Sequence, residues 1–132
     1  FWCPDDYNIK VNRNPKNTMF DNNRISYGYN VYNLAKCKDT MIKKPSQTVN
    51  IIEAFTDSST TGGGYYYVCH WTQAPGAYPR HQKGYYANTL WTDAHVTKVR
   101  STNGTWKGLY SDSPSALGNR WGSTKYNKWD RY

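Results

Sequence analysis

Three side chains with complementary acid–base chemistry follow one another along the chain: Glu53, Arg80 and His95. Glu53 lies in an apolar segment with Ile52 and Phe55, where loss of hydration favours uptake of a proton near neutral pH. An arginine binds phosphate through paired charge-assisted hydrogen bonds, and a histidine can donate a proton to a leaving oxygen. Cleavage of RNA by its own 2′-hydroxyl requires such a base, anion clamp and acid. We therefore predict these three as candidate catalytic residues.

The same three residues also have ordinary structural interpretations. A carboxylate in a strand can pair with a neighbouring lysine, and a histidine in a strand can face solvent or a tyrosine. An arginine in a loop with proline and glycine is often only solvated. The interpretations differ in one respect, because catalysis requires that Glu53, Arg80 and His95 converge in the folded protein.

A second set of residues is suited to binding a partner. The chain has 17 Lys and Arg against nine Asp and Glu, a net charge of +8, together with 13 Tyr and six Trp. Positive charge among aromatic rings is typical of a surface that binds RNA or another anionic polymer, although a basic surface can also serve solubility alone. The predicted binding residues are Tyr85, Tyr86, Trp91, Lys98, Arg100 and Lys107.

The three cysteines, Cys3, Cys37 and Cys69, indicate a disulfide rather than a metal site. They lack the paired spacing of zinc ligands, and we predict neither a metal nor another cofactor. We expect Cys3, which would otherwise lie in a free terminus, to pair with Cys37 or with Cys69. A disulfide, few Leu and Glu residues, and many Asn, Tyr, Thr and Gly residues are typical of a secreted, extracellular protein.

The length of 132 residues corresponds to one modest hydrophobic core, so we expect residues 1–132 to form a single secreted domain. Tyr and Trp must fill much of this core, because Leu, Ile and Val are scarce. A chain so rich in aromatic residues is not typical of a disordered protein. No apolar stretch is long enough to span a membrane, and we expect a monomer.

Periodicity predicts an α+β protein, rich in β-structure, in which one helix packs on a twisted antiparallel sheet. The helix is expected at residues 23–37. Within that range Ile25, Tyr29 and Tyr32 follow one another at helical spacing. Strands are expected at residues 47–56, 65–72, 85–91 and 94–100.

Two predictions concern the C-terminal part of the chain. Asn103-Gly104 is a strong signal for a two-residue hairpin turn between strands at residues 95–100 and 105–110. Further on, Trp121 and Trp129 would expose a large apolar patch if the tail were free. We expect the tail to pack on the sheet and bury both tryptophans, while Lys125, Lys128 and Arg131 stay in solvent.

Short segments of the chain resemble fungal secreted ribonucleases and ribotoxins. The residues that carry the resemblance are Glu53 within Ile51-Ile52-Glu53-Ala54-Phe55, Arg80, and His95 within Asp93-Ala94-His95-Val96-Thr97-Lys98. In that family the corresponding residues act as base, phosphate clamp and acid on an antiparallel sheet packed against one helix. The opening Phe1-Trp2-Cys3 is also similar to the start of secreted effectors of plant-pathogenic fungi, many of which have the ribonuclease fold without the activity.

The resemblance implies a secreted effector- or toxin-like protein with a ribonuclease-like fold. The three histidines of this chain, His70, His81 and His95, all follow Glu53, whereas the family usually has a further histidine before the glutamate. The expected function is therefore binding of a host protein receptor or of RNA, with little or no catalysis. Any enzymatic activity would be that of a ribonuclease of the ribotoxin type.

Two other interpretations remain open. The segment from Tyr85 through His95-Val96-Thr97-Lys98-Val99 to the aromatic tail is similar to lactococcin 972-like bacteriocins, which are small secreted β-sandwich proteins that act at the cell wall. Exposed Trp and Tyr side chains would equally suit an aromatic-rich carbohydrate-binding β domain, because sugars and bases both stack on aromatic rings.

Overall fold

Five short strands form one antiparallel sheet in the computed structural model, which describes residues 26–55, 68, 76–118 and 126–129. The strands are, in chain order, β1 (Tyr27–Tyr29), β2 (Val49–Phe55), β3 (Gly76–Ala77), β4 (Tyr86–Trp91) and β5 (Val96–Arg100). Their order in the sheet is β1-β2-β4-β5, and β3 pairs with the end of β2. The described part of the protein is therefore rich in antiparallel β-structure, as the sequence predicts.

Three of the predicted strands are confirmed. β2, β4 and β5 lie within the predicted ranges 47–56, 85–91 and 94–100 and differ from them by at most two residues at either end. Each strand contains β-branched or aromatic residues, which suit a pleated and half-buried surface. The strand predicted at 65–72 lies outside the described residues except for Val68, which is completely buried.

The sheet has a buried inner face and an outer face that is accessible on β5, partly accessible on β4 and covered at Glu53. In β4 the buried residues Ala87, Thr89 and Trp91 alternate with half-buried neighbours, because successive side chains of a strand point to opposite faces. Cross-strand pairing places Ile52 beside Thr89 and Val99 beside Ala87, so the inner face covers the core. The outer face carries the alternate residues of these strands and of β1, among them Tyr27, Glu53, Tyr86, Asn88, Lys98 and Arg100.

Trp129 is the largest completely buried side chain of the described residues. Its ring stacks on the ring of Tyr110 with centroids 5.6 Å apart, and its Nε1 donates a hydrogen bond to the carbonyl of Gly118 at 2.9 Å. Tyr110 reaches this position from a 3₁₀ helix at Trp106–Tyr110. The prediction that the tail packs on the fold is therefore confirmed at Trp129.

The backbone of the tail joins the sheet at Lys128. The N–H of Val49 donates to the carbonyl of Lys128 at 2.8 Å, and the N–H of Lys128 donates to the carbonyl of Leu117 at the same distance. The ammonium group donates to the carbonyl of Pro114 at 2.7 Å and lies 5.9 Å from the centre of the Trp91 ring. Lys128 is therefore half-buried rather than fully in solvent as predicted, and this burial lowers its pKa. Trp121, Lys125 and Arg131 lie outside the described residues.

A buried asparagine connects segments that are far apart in the sequence. Asn30 is completely buried, and its Nδ2 donates to the carbonyls of Val49 and Trp129, both at 3.0 Å. Its Oδ1 accepts a hydrogen bond from the side chain of Asn33 at 2.8 Å, and its N–H donates to the carbonyl of Asn50 at 2.9 Å. One side chain thus holds together the end of β1, the start of β2 and the tail.

The helix predicted at residues 23–37 is wrong over most of its described length. Tyr27–Tyr29 forms β1, and the only α-helix of the described residues is α1 (Val31–Leu34). Gly28 pairs with Ile52 across the β1–β2 ladder. Glycine lowers the helix propensity of this segment, so the hydrogen bonds to β2 decide its structure. With four residues, α1 does not form the helical layer that was expected over the sheet.

Asn103-Gly104 does not form the predicted hairpin. The Oδ1 atom of Asn103 accepts hydrogen bonds from the N–H of Thr105 at 3.1 Å and from its Oγ1 at 2.8 Å, and the 3₁₀ helix Trp106–Tyr110 follows. This helix packs closely on the turn, since a Cβ atom added to Gly108 would lie 2.2 Å from Asn103 Oδ1. The turn residues therefore lead into a helix that completes the core rather than into a strand.

Cys37 is a free, half-buried thiol whose Sγ donates to the carbonyl of Lys38 at 3.4 Å. The predicted pairing of Cys3 with Cys37 is therefore not formed in this structure. The alternative pairing involves Cys3 and Cys69, which both lie outside the described residues.

Replacing Trp129 by alanine should lower the free energy of unfolding by about 3–5 kcal/mol, because it removes a completely buried ring and leaves a cavity. Trp129→Phe retains a ring that can stack on Tyr110 and loses the hydrogen bond to Gly118, so its loss should be only about 1–2 kcal/mol. Urea unfolding followed by circular dichroism measures both variants. Unchanged stability of Trp129→Ala would contradict the structural role of the tail.

Candidate functional site

Strand β2 changes partners along its length. Its first part pairs with β4 as far as Ile52 and Thr89, and its last two residues, Ala54 and Phe55, pair with β3. Glu53 lies between the two ladders. Where β2 leaves β4, the backbone groups of β4 that point toward β2 require other hydrogen-bond partners.

The Glu53 carboxylate supplies one of these partners. Its Oε2 accepts a hydrogen bond from the backbone N–H of Asn88 at 3.1 Å, and its Oε1 lies 2.7 Å from Nε2 of His81. The side chain is completely buried, and an unpaired charge there would be costly. Contacts on both carboxylate oxygens explain how an ionisable residue can lie inside an apolar strand.

His81 is the histidine that the structure brings to Glu53. Its side chain is 18% exposed, so it connects the buried carboxylate with the surface. Its Nε2 also lies 2.7 Å from the side-chain amide of Asn88. The Asn88 atom at this distance is the amide nitrogen Nδ2, so His81 Nε2 donates to the carboxylate in one tautomer and accepts from the amide in the other. Chemically, the histidine–glutamate pair can accept and hold a proton.

His81 is not among the site residues predicted from the sequence. It directly follows Arg80 in the same loop, and this adjacency is the one sequence signal that could identify it. In the structure an isolated β-bridge between His81 and Tyr86 holds the loop against the start of β4. That bridge depends on a contact that no sequence spacing specifies.

Arg80 lies at the same end of β2 as Glu53. Its Nη2 donates a hydrogen bond to the carbonyl of Ala54 at 2.5 Å, and its Cζ lies 5.1 Å from the centre of the Tyr78 ring. Arg80 is therefore bonded to the residue that follows Glu53 in β2. Part of the guanidinium is nevertheless used to hold a strand carbonyl.

His95 lies apart from this cluster. It closes the turn between β4 and β5, where its Nδ1 is hydrogen-bonded to the Asp93 carboxylate and its ring stacks on Trp91 with centroids 5.7 Å apart. Trp91 pairs with His95, whereas Asn88, which bonds to Glu53, lies three residues earlier in β4, or about 10 Å along the strand. In addition, β4 lies between β2, which carries Glu53, and the strand that follows His95. The three predicted catalytic residues therefore do not converge, because the register of the hairpin places one of them at its far end.

Three of the predicted binding residues lie together on the outer face. Lys98 faces Asn88, and Arg100 faces Tyr86, across the β4–β5 ladder. Both cations are exposed, and Tyr86 is half-buried. Together with Glu53 and Asn88 they form a row of polar side chains across the outer face. The row runs from Glu53 in β2 to Lys98 and Arg100 at the edge of the sheet. The outer face thus carries positive charge beside the histidine–glutamate pair.

The other three predicted binding residues lie elsewhere. Trp91 is only 5% exposed, so it does not offer the exposed ring that the prediction requires. Tyr85 is exposed, but one part of its ring lies against Gly104. The ammonium group of Lys107 lies 5.7 Å from the centre of the Trp106 ring in the 3₁₀ helix. Neither Tyr85 nor Lys107 belongs to the row on the outer face.

Within the described ranges, no group of three or more His, Cys, Asp or Glu side chains is arranged to hold a metal ion. Nor does this part of the chain contain a helix long and apolar enough to cross a membrane. Comparisons with protein-family models, with curated proteins and with solved structures found no match. A functional assignment therefore depends on the geometry of the outer face.

Glu53→Ala should lower the free energy of unfolding by about 2–4 kcal/mol, because it leaves the Asn88 N–H without its acceptor and opens a cavity. Glu53→Gln keeps an oxygen near that N–H, so its loss should be smaller by about 1 kcal/mol or more. Denaturant unfolding measures both, and hydrogen exchange of the Asn88 amide should accelerate most in the alanine variant. Equal stability of the two variants would contradict the role of the carboxylate as a ladder partner.

The hydrogen bond between Asp93 and His95 predicts a pH effect in the acid range. This bond from the His95 side chain holds the pKa of Asp93 below its usual value. A carboxyl group with a lowered pKa in the folded state stabilises the turn above its ordinary pKa, and the contribution is lost as pH falls through the lowered value. In an NMR titration, the Asp93 carboxyl resonance should therefore shift at a higher pH in His95→Ala. The same midpoint in both proteins would show that the bond is absent.

Proposed function

We propose that this protein is a secreted, effector- or toxin-like protein that binds RNA through the outer face of its sheet, with little or no catalysis. The observation that carries the proposal is the row from the Glu53–His81 pair through Asn88 to Lys98, with Arg100 beside it. The row begins at a pair that can hold a proton and ends at two exposed cations.

Lys98 and Arg100 give the outer face an affinity for phosphate. They are two residues apart in β5, a separation of about 7 Å, which is close to that of successive phosphates in an extended single strand. Both are exposed, and among the described residues neither takes part in an ion pair. Their charge is therefore available to an anionic ligand.

The neighbouring side chains on β4 suit the bases of a single strand. Tyr86, which faces Arg100, is half-buried and offers part of its ring for stacking. Asn88, which faces Lys98, carries an amide that can form hydrogen bonds with base edges. Single-stranded RNA presents unstacked bases and phosphates together, so it fits this combination better than a duplex does.

The same geometry explains why catalysis should be weak. Glu53 and His81 can take up a proton, but the predicted acid, His95, lies beyond β4 at the far end of the β4–β5 hairpin and is bonded to Asp93. Arg80 gives part of its guanidinium to a strand carbonyl. A base without an opposing acid leaves the leaving oxygen unprotonated, so binding is the function that the outer face supports best.

Binding of single-stranded RNA should weaken as salt rises, because counterions are released from the phosphates. The double variant Lys98→Gln, Arg100→Gln should reduce the affinity and lower the slope of log K against log salt by about one to two. The matched control, Lys43→Gln with Lys44→Gln, removes two exposed charges outside the sheet and should change binding much less. Fluorescence anisotropy with a labelled oligonucleotide measures all three proteins.

Equal losses in the two double variants would mean that net charge alone drives binding and would overturn the proposed face. Absence of binding at low salt would exclude RNA as the partner. RNA incubated with the protein should stay intact or be cut only slowly, at a rate that Glu53→Gln does not change. Rapid cleavage that depends on Glu53 would replace the binding proposal with a catalytic one.

A further inference from the structure

One edge of the described sheet is formed by β5, whose second side pairs with no other strand of the residues that the structure describes. β5 is last in the order β1-β2-β4-β5, so β4 lies on one side of it only. The N–H of Trp91 donates to the carbonyl of His95, and the N–H of Ser101 donates to the carbonyl of Tyr85. In an antiparallel ladder hydrogen-bonded and non-hydrogen-bonded pairs alternate. These two bonds therefore determine which residues of β5 direct their backbone N–H and C=O groups toward β4.

This alternation gives Val96 and Lys98 outward backbone groups. Thr97 bonds to β4, whereas the N–H and C=O groups of Val96 and Lys98 point away from it. At one end the edge is closed, because the N–H of Arg100 donates to the carbonyl of Ser115 at 3.2 Å. The outward groups of Val96 and Lys98 have no hydrogen-bond partner among the described residues.

The side chains along this edge leave the backbone accessible. Val96 is 65% exposed, and its neighbours Thr97 and Lys98 are exposed as well. The register between β4 and β5 is continuous, without a bulge, and β5 contains no proline. A regular and accessible edge of this kind is a template for another strand.

We propose that this edge binds an extended acidic peptide segment of a partner protein by antiparallel strand addition. The N–H and C=O groups of Val96 and Lys98 bond to the added strand. The side chains of Lys98 and Arg100 lie on the outer face, where they meet acidic residues at alternate positions of the peptide. Residues between the acidic ones lie beside Thr97 on the inner face, and β-branched side chains suit that position.

The charge of β5 favours an acidic peptide over a second copy of this chain. In an antiparallel pair of two β5 strands, Lys98 and Arg100 of one copy would approach the same residues of the other on one face. Like charges on neighbouring strands are destabilising. The net charge of +8 adds general repulsion between copies. An acidic strand turns both effects into attraction.

This interaction differs from RNA binding in what it requires of the protein. RNA contacts the charged side chains of the outer face, whereas a peptide strand also requires the outward N–H and C=O groups of β5. A substitution that removes an outward N–H and keeps Lys98 and Arg100 therefore separates the two proposals.

The test uses a short peptide of alternating Val and Glu, blocked at both ends and labelled for fluorescence anisotropy. Val96→Pro removes an outward N–H without breaking a bond to β4, and it should weaken peptide binding by roughly tenfold while RNA binding stays unchanged. Val96→Thr keeps the N–H and the β-branched shape, and it should bind within about twofold of the unaltered protein. The same peptide with Lys in place of Glu should not bind.

A second measurement leaves the protein unaltered and so does not depend on the folding of Val96→Pro. In antiparallel pairing, the peptide residues that bond to β5 have their side chains on the outer face, so they are the Glu residues. N-methylation of the Glu residues should abolish binding, and N-methylation of the Val residues should not. The reverse pattern, equal binding by both methylated peptides, or full binding by Val96→Pro would overturn strand addition. So would self-association of the protein that the peptide does not reverse.

Discussion

The arrangement of the sheet depends on the buried carboxylate of Glu53 and on the groups that replace its lost hydration where β2 passes from β4 to β3. Taking Glu53 out of water would cost several kcal/mol if nothing opposed the loss of hydration. The opposing contacts come from the backbone N–H of Asn88 and from His81, which reaches the surface. Because the carboxylate takes the place of a carbonyl, β4 keeps a hydrogen-bond partner while β2 turns toward β3. The same residue, Glu53, therefore both allows β2 to change its partner from β4 to β3 and begins the polar row on the outer face.

The other end of the sheet depends on contacts between distant parts of the chain. Asn30 and Trp129 are 99 residues apart, and the Asn30 side chain joins the Trp129 carbonyl to the start of β2. Trp129 in turn stacks on Tyr110 from the 3₁₀ helix. Aromatic rings from the C-terminal part thus fill the space that a helical layer fills in many α+β proteins. This explains how the core can be complete although α1 has only four residues.

The strands could be predicted from the sequence because alternation is a local signal. β2, β4 and β5 each lie where alternating or β-branched residues predict them. The helix at residues 23–37 failed for the opposite reason. Tyr29 and Tyr32 fit a helical spacing, but Tyr27 and Tyr29 fit a strand equally well, and the ladder with β2 decides between them. That ladder joins residues more than twenty positions apart, so no window of local sequence contains it.

The site follows less directly from the sequence, because it depends on register. His81 and His95 both follow Glu53, and only the pairing of β4 shows which of them reaches it. The cations, in contrast, follow from the core. A strand that buries Val99 must expose Lys98 and Arg100 together on the other face, and antiparallel pairing then places β4 side chains beside them. A cationic row next to the histidine–glutamate pair is therefore a consequence of how the sheet buries its core. Binding of an anionic ligand needs only that row, whereas catalysis would also need an acid that the register holds at the far end of the hairpin.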